Sequence, residues 1–250
     1  MCGIVGYVGN KGAKSFLIDG LSKLEYRGYD SAGIAVLDGT SISLAKQKGR
    51  LSNLEGALKS KSSEGTIGIG HTRWATHGEP SDRNSHPHKS SKGDIAVVHN
   101  GIIENYLELR KWLISEGYEF FSETDTEVVP NLIHYYYEGN LFEAVVKATK
   151  KLEGSYALGV VCGDEQDKLI AVRKDSPLIV GLGNGENFIA SDIPAVIKYT
   201  RDVYLLDDNE FVVMDRNGVS ILSANGERID KNIYKVTWSE DAAEKGGYDS

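Results

Sequence analysis

Cys2-Gly-Ile-Val-Gly-Tyr-Val-Gly9, directly behind Met1, is an aliphatic and aromatic run broken at every third position by glycine. It reads as a strand, and glycines inside a strand mark the close approach of another backbone or of a ligand. Downstream, Leu17, Leu21 and Leu24 recur at i, i+4 and i+7, which predicts a helix running to Gly28. Ala32–Leu37 and Ser41–Lys46 flank Asp38-Gly39, a hairpin signature. Leu51, Leu54 and Leu58 predict a second short helix and Thr66–His71 another strand, before a long polar stretch from Trp74 to Lys92. A loop of that length inside a compact domain is more often functional than idle. Ile95–His99 reads as a strand, and Ile102, Tyr106, Leu109 and Leu113 as a helical stripe. Helices are expected around Val128–Tyr137 and Leu141–Leu152. From Gly154 short β-rich runs alternate with turns, including Asn217-Gly218 and Asn225-Gly226, and only Ile193–Tyr199 reads as helix. Hairpins join antiparallel strands, so the expectation is α+β, antiparallel sheets covered by helices, rather than a parallel βαβ fold.

The chain has 250 residues, between one and two domains at roughly 150 residues each, and long enough to bury a core without disulfides or metal. Lys and Arg number 28 against 36 Asp and Glu, a net charge of −8. Nucleic-acid footprints are basic, so no nucleic-acid partner is expected. No apolar run approaches the ~18 residues of a membrane span, and Asn10 and Lys11 cut short any signal-peptide core. Neither membrane nor secretion is expected. Cys2 and Cys162 alone cannot build a disulfide framework, which points to a reducing, cytosolic compartment. Gly181-Leu-Gly-Asn-Gly-Glu186 lacks the following helix of a nucleotide loop and reads as a turn. The spacing of His77, His86, His88 and His99 fits no common metal-ligand pattern. No metal and no cofactor are expected.

The candidate chemistry begins at Cys2. Removal of Met1 would leave a thiol and an α-amine on one residue, with pKa values about 8.5 and 7.7–8.0. The amine can then act as base for its own nucleophile. The alternative is a small apolar residue in a buried strand. Cys162 sits in an apolar strand and reads as structural. His71-Thr-Arg-Trp-Ala-Thr-His-Gly78 delivers Arg73, Trp74, Thr76 and His77 at one strand end, where Arg73 either offers a fork matched to a carboxylate or is a surface Arg beside a packed Trp. Asn100-Gly101 ahead of a helix is either an oxyanion hole or an N-cap. Glu123-Thr-Asp-Thr-Glu127 is acidic at another helix start, where capping explains the charge, although Asp125 could also receive an ammonium.

Met1-Cys2-Gly-Ile-Val-Gly-Tyr7, Tyr26-Arg-Gly-Tyr-Asp-Ser-Ala-Gly33, His71 to Gly78, His99-Asn-Gly101 and Ser122-Glu-Thr-Asp-Thr-Glu127 occur in that order over the chain. Together they resemble the class II, N-terminal nucleophile glutamine amidotransferases, and most closely the glutaminase half of the glutamine–fructose-6-phosphate aminotransferases. The resemblance implies a four-layer αββα sandwich, the N-terminal nucleophile hydrolase fold. It implies that Cys2 attacks the side-chain amide of L-glutamine, assisted by its own α-amine. Asn100 and the Gly101 N–H would hold the oxyanion, Arg73 the substrate α-carboxylate and Asp125 its α-ammonium. Thr76, His77, Trp74, Arg27, Gly28 and His86 would line or border the site. It also implies a glutaminase domain over 1–240, with 241–250 opening a linker to a sugar-phosphate isomerase half that these 250 residues do not include. The longer enzyme would be a homodimer. The contrasting reading is a catalytically idle glutamine-sensing module, which ammonia release from glutamine would distinguish.

Overall fold

A computed structural model of the chain describes residues 2–59, 64–75 and 78–238. Its elements, in order, are β1 (Gly3–Gly9), α1 (Ala13–Ser22), a 3-10 turn at Glu25–Arg27, β2 (Ser31–Asp38), β3 (Ser41–Lys48), α2 (Leu51–Leu58) and β4 (Ile67–Arg73). Then come β5 (His88–Lys89), β6 (Ile95–Ile103), α3 (Tyr106–Ser115), a 3-10 turn at Asp125–Glu127, α4 (Val128–Tyr136) and α5 (Leu141–Thr149). The described residues close with β7 (Gly154–Cys162), β8 (Glu165–Lys174), β9 (Ile179–Leu182), β10 (Glu186–Ala190), a 3-10 turn at Ile193–Ala195, β11 (Asp202–Leu205), β12 (Phe211–Met214), β13 (Val219–Leu222) and β14 (Tyr234–Lys235).

The strands form an eight-stranded sheet, β14-β11-β9-β10-β1-β4-β2-β3, and a six-stranded sheet, β13-β12-β8-β7-β6-β5. Every paired neighbour in either sheet is antiparallel. The β-rich C-terminal stretch splits between them, β7, β8, β12 and β13 joining the smaller sheet and β9, β10, β11 and β14 the larger.

Alternation along the strands sets the layers. On β1, Val5 and Tyr7 pack with Phe16, Leu17 and Leu21 of α1. Ile4 and Val8 turn the other way, against Ala96 and Val98 of β6 and Leu169 of β8. On β6 the opposite parity, Ile95 and Val97, meets Leu113, Leu132 and Val145 of α3, α4 and α5. The result is α1 and α2, the larger sheet, the smaller sheet, then α3 to α5: the αββα sandwich expected from the resemblance.

Four expectations need correction. The strand expected to end at His71 runs past it, as β4, to Arg73. The helix through Leu17 and Leu21 stops at Ser22, and the chain tightens into a 3-10 turn before Gly28; this turn brings Arg27 and Gly28 to the end of β4. Ile102 is not on a helical face: β6 continues through Asn100, Gly101 and Ile102, paired with β7 as far as Ile103 opposite Gly154. Ile193–Tyr199 is regular only over the 3-10 turn. The linker expected over 241–250 lies outside the described residues.

Candidate functional site

The same alternation builds the site. Between the sheets, the inward side of β4 reads Ile67, Ile69, His71, Arg73, and that of β6 reads Ala96, Val98, Asn100. Cys2 continues the parity of Ile4 and Val8 just before β1. At this one end of the sandwich the inward residues change from aliphatic to polar. Register holds them together, because Gly3 is opposite Thr72 and Ser31 opposite Arg73.

A cavity of about 330 Å³ opens there, lined by Cys2, Arg27, Arg73, Trp74, His86, Asn100, Gly101 and Asp125 among the residues expected from sequence. Its size lies at the lower end for small-molecule sites. His99, Ile102, Thr124, Thr126, Ser155, Ser176 and Pro177 complete the lining. His99, Thr124 and Thr126 stood inside blocks singled out from sequence without a role of their own, whereas Ile102, Ser155, Ser176 and Pro177 were missed, belonging to no motif. The one available signal was the parity of His99 to Ile102, had β6 been read through Gly101. Gly28 is not in the lining. Its place is against Arg73 and Trp74: a Cβ there would lie 2.7 Å from the Arg73 carbonyl carbon and 2.9 Å from the Trp74 nitrogen. Thr76 and His77 lie outside the described residues.

The Cys2 thiol accepts a hydrogen bond from the Trp74 N–H at 3.2 Å and lies 3.4 Å from the Trp74 carbonyl oxygen. Burial pushes this thiol above its ordinary pKa, since an anion loses solvation there. Among the described residues no histidine is hydrogen-bonded to the sulfur. The Asn100 side-chain NH2 donates to the Cys2 carbonyl oxygen at 3.0 Å, and its Oδ1 lies 2.9 Å from His71 Nε2. Asn100 is therefore no N-cap; it sits mid-strand, five residues before the Asn105 cap of α3. Gly101 has φ +121°, and a Cβ there would fall 2.2 Å from the Ser155 carbonyl oxygen, so only glycine fits.

Arg73 is 3% exposed. Its guanidinium donates to the carbonyls of Gly78 at 2.9 Å and Glu79 at 3.4 Å. Arg27 donates to the Ser191 carbonyl at 3.3 Å and faces Asp192 at 3.6 Å. The Asp125 carboxylate is buried and accepts the Ile103 N–H at 2.8 Å, which ties the acidic Glu123–Glu127 block to β6. Glu127 in that block accepts from the Phe121 and Ser122 N–H groups and the Ser122 hydroxyl; it holds the turn. Trp74 is 47% exposed at the cavity mouth, edge-on to Tyr29.

Four buried imidazoles cluster here, His86 and His99 in the cavity lining and His71 and His88 outside it. Burial pushes His71 down to about 3, and His86, His88 and His99 are also lowered, by burial first. His99 Nδ1 meets the Thr126 hydroxyl at 2.8 Å and His88 Nε2 the Thr124 hydroxyl at 3.0 Å. These rings are neutral hydrogen-bonding groups at working pH. The cavity thus combines a thiol, amide donors, a buried guanidinium and a buried carboxylate, a set suited to acyl transfer on a zwitterionic substrate.

Residues 71–198 match the family model described as glutamine amidotransferase domain. The chain is 67% identical over 249 residues to glutamine–fructose-6-phosphate aminotransferase (isomerizing) of Clostridium tetani, and 66% identical to that of Clostridium perfringens. In both cases the match takes in 100% of this chain but 41% of the relative. The chain therefore spans about two fifths of the length of these relatives. Among solved structures it is similar to glutamine phosphoribosylpyrophosphate amidotransferase from B. subtilis, with TM-score 0.76 and 26% identity over 93% of this chain and 50% of that one.

Proposed function

The chain belongs to the glutamine amidotransferase domain family, and we propose that it hydrolyses L-glutamine to glutamate and ammonia through a γ-glutamyl thioester on Cys2. The observation that carries this reading is the meeting of the Cys2 thiol, the Asn100 amide and the Arg73 guanidinium in one cavity. With Met1 removed, the α-amine of Cys2 takes the thiol proton as sulfur bonds to the amide carbon of glutamine. No imidazole is hydrogen-bonded to the sulfur among the described residues, which favours the amine as that base. The tetrahedral oxyanion is stabilised by the Asn100 NH2 and the Gly101 N–H. The ammonium returns its proton to the leaving nitrogen, ammonia departs, and water then cleaves the thioester to glutamate and free thiol. Arg73 clamps the α-carboxylate and Asp125 the α-ammonium. Trp74 covers the mouth, Arg27 and His86 shape the wall, and Gly28 backs the Arg73–Trp74 main chain from outside the lining.

Residues 1–240 form the glutaminase domain in this reading, and 241–250 begin a linker. The relatives' remaining length supports a second half that uses the ammonia to convert fructose 6-phosphate to glucosamine 6-phosphate. That product would feed UDP-GlcNAc and cell-wall precursors, in a cytoplasmic homodimer. No helix among the described residues is long and apolar enough to cross a membrane.

The test is glutamate release with hydroxylamine present. The Met1-free chain yields γ-glutamyl hydroxamate at the expense of glutamate, and Cys2→Ala yields neither. Glutamate release that survives Cys2→Ala would overturn the reading.

A further inference from the structure

One inward-facing residue of β4 takes no part in that scheme. His71 is wholly buried, between Ile69 and Arg73 on the face that meets β6. Its Nε2 lies 3.0 Å from the His99 carbonyl oxygen and 2.9 Å from Asn100 Oδ1. A carbonyl oxygen can only accept, so Nε2 carries the hydrogen. The Asn100 atom facing it must then be the amide oxygen, which turns the NH2 toward Cys2, 3.0 Å from that residue's carbonyl oxygen.

A primary amide has two orientations of almost the same shape. Flipped, Asn100 would set N–H against N–H at His71 and oxygen against oxygen at Cys2. The ring itself is fixed: it stacks on His86 at 4.1 Å with planes 14° apart, and its Nδ1 has no hydrogen-bond partner among the described residues. Protonating Nδ1 would bury an unpaired N–H and a charge, so the ring keeps one proton, on Nε2. We propose that His71 is a positioning residue, which through its Nε2–H locks the Asn100 amide with its NH2 aimed at the Cys2 reaction centre. The inference rests on Asn100 being the oxyanion donor.

Glutaminase kinetics on the Met1-free chain test it, together with a ¹⁵N-histidine spectrum that needs no activity. His71→Met removes the donor, and kcat falls roughly 10–100-fold with KM nearly unchanged, because the donor is misaimed rather than deleted. His71→Gln, which keeps an N–H at similar reach, retains kcat within about fivefold of wild type. In an Asn100→Ala background His71→Met changes kcat by less than about twofold, since coupled residues are non-additive. The spectrum shows a His71 ring protonated at Nε2. An equal loss from His71→Met in both backgrounds, or an Nδ1-protonated ring, overturns the proposal. Should His71→Met fail to fold, the glutamine variant and the spectrum decide. A wild-type chain that releases no glutamate, or an active chain indifferent to Asn100→Ala, removes the reading of Asn100 itself and the inference with it.

Discussion

At Arg73 the geometry of one side chain decides how a carboxylate is held. The guanidinium is buried and anchored to the Gly78 and Glu79 carbonyls, so its fork is preorganised. Arg73→Lys substitutes a point charge for that fork, and KM for glutamine should rise at least about tenfold while kcat falls less. Steady-state kinetics check this, and an unchanged KM would remove Arg73 as the clamp. Asn100 acts on the other term. Asn100→Ala should leave KM close to wild type and lower kcat by roughly 10²–10³, the usual loss for one oxyanion donor. A loss of stability without that kinetic effect would leave Asn100 a purely structural residue.

Between elements, what matters is how closely β4 is approached. The 3-10 turn after α1 lays Gly28 against the Arg73–Trp74 backbone, where a Cβ would stand 2.7–2.9 Å from main-chain atoms. Backbone cannot yield as a side-chain tip can. Gly28→Ala should therefore displace Trp74, raise KM for glutamine, and cost about 1–3 kcal/mol of stability as overpacking does. Urea unfolding and kinetics on the same preparation measure both, and no change in either would refute the close approach. The sequence periodicity located most of these elements, because strands with one aliphatic face and leucine-striped helices announce themselves. It ended β4 and β6 too early, at His71 and His99, because polar residues look like strand ends. In the fold those polar residues keep the strand and its alternation, and only their surroundings change, from a dry seam to a cavity. Cys2, Arg73 and Asn100 were legible through their ordered blocks. His71, Ser155 and Ser176 were not, since their roles depend on which strand faces them.

Across the whole molecule, the buried imidazoles tie stability to pH. His71, His86, His88 and His99 all have folded-state pKa values lowered by burial. An unfolded histidine binds its proton near pH 6.5, whereas His71 does so only at about 3 and His86 and His88 well below the usual value, with His99 lowered in the same direction. Below about 6.5 the unfolded chain takes up protons that the folded chain refuses, so stability is complete above that pH and falls beneath it. His71, His86 and His88, whose folded values lie well below that range, each contribute a loss approaching roughly 1.4 kcal/mol per pH unit. Urea midpoints should thus fall steeply between about pH 6.5 and pH 5, before most carboxylates titrate. A flat profile over that interval would mean that the four rings are not buried together.

The claim on which the account turns is that the α-amine of Cys2 is the base for its own thiol. Two preparations isolate it, one with Met1 quantitatively removed and one with it quantitatively kept, each verified by intact mass. Each is assayed for glutamate formation across pH. A retained Met1 acylates the amine and leaves the thiol, so the account predicts a loss of about 10²–10⁴-fold or more in kcat, the usual contribution of a general base. Comparable kcat in the two preparations would contradict it and return Cys2 to an ordinary half-buried thiol.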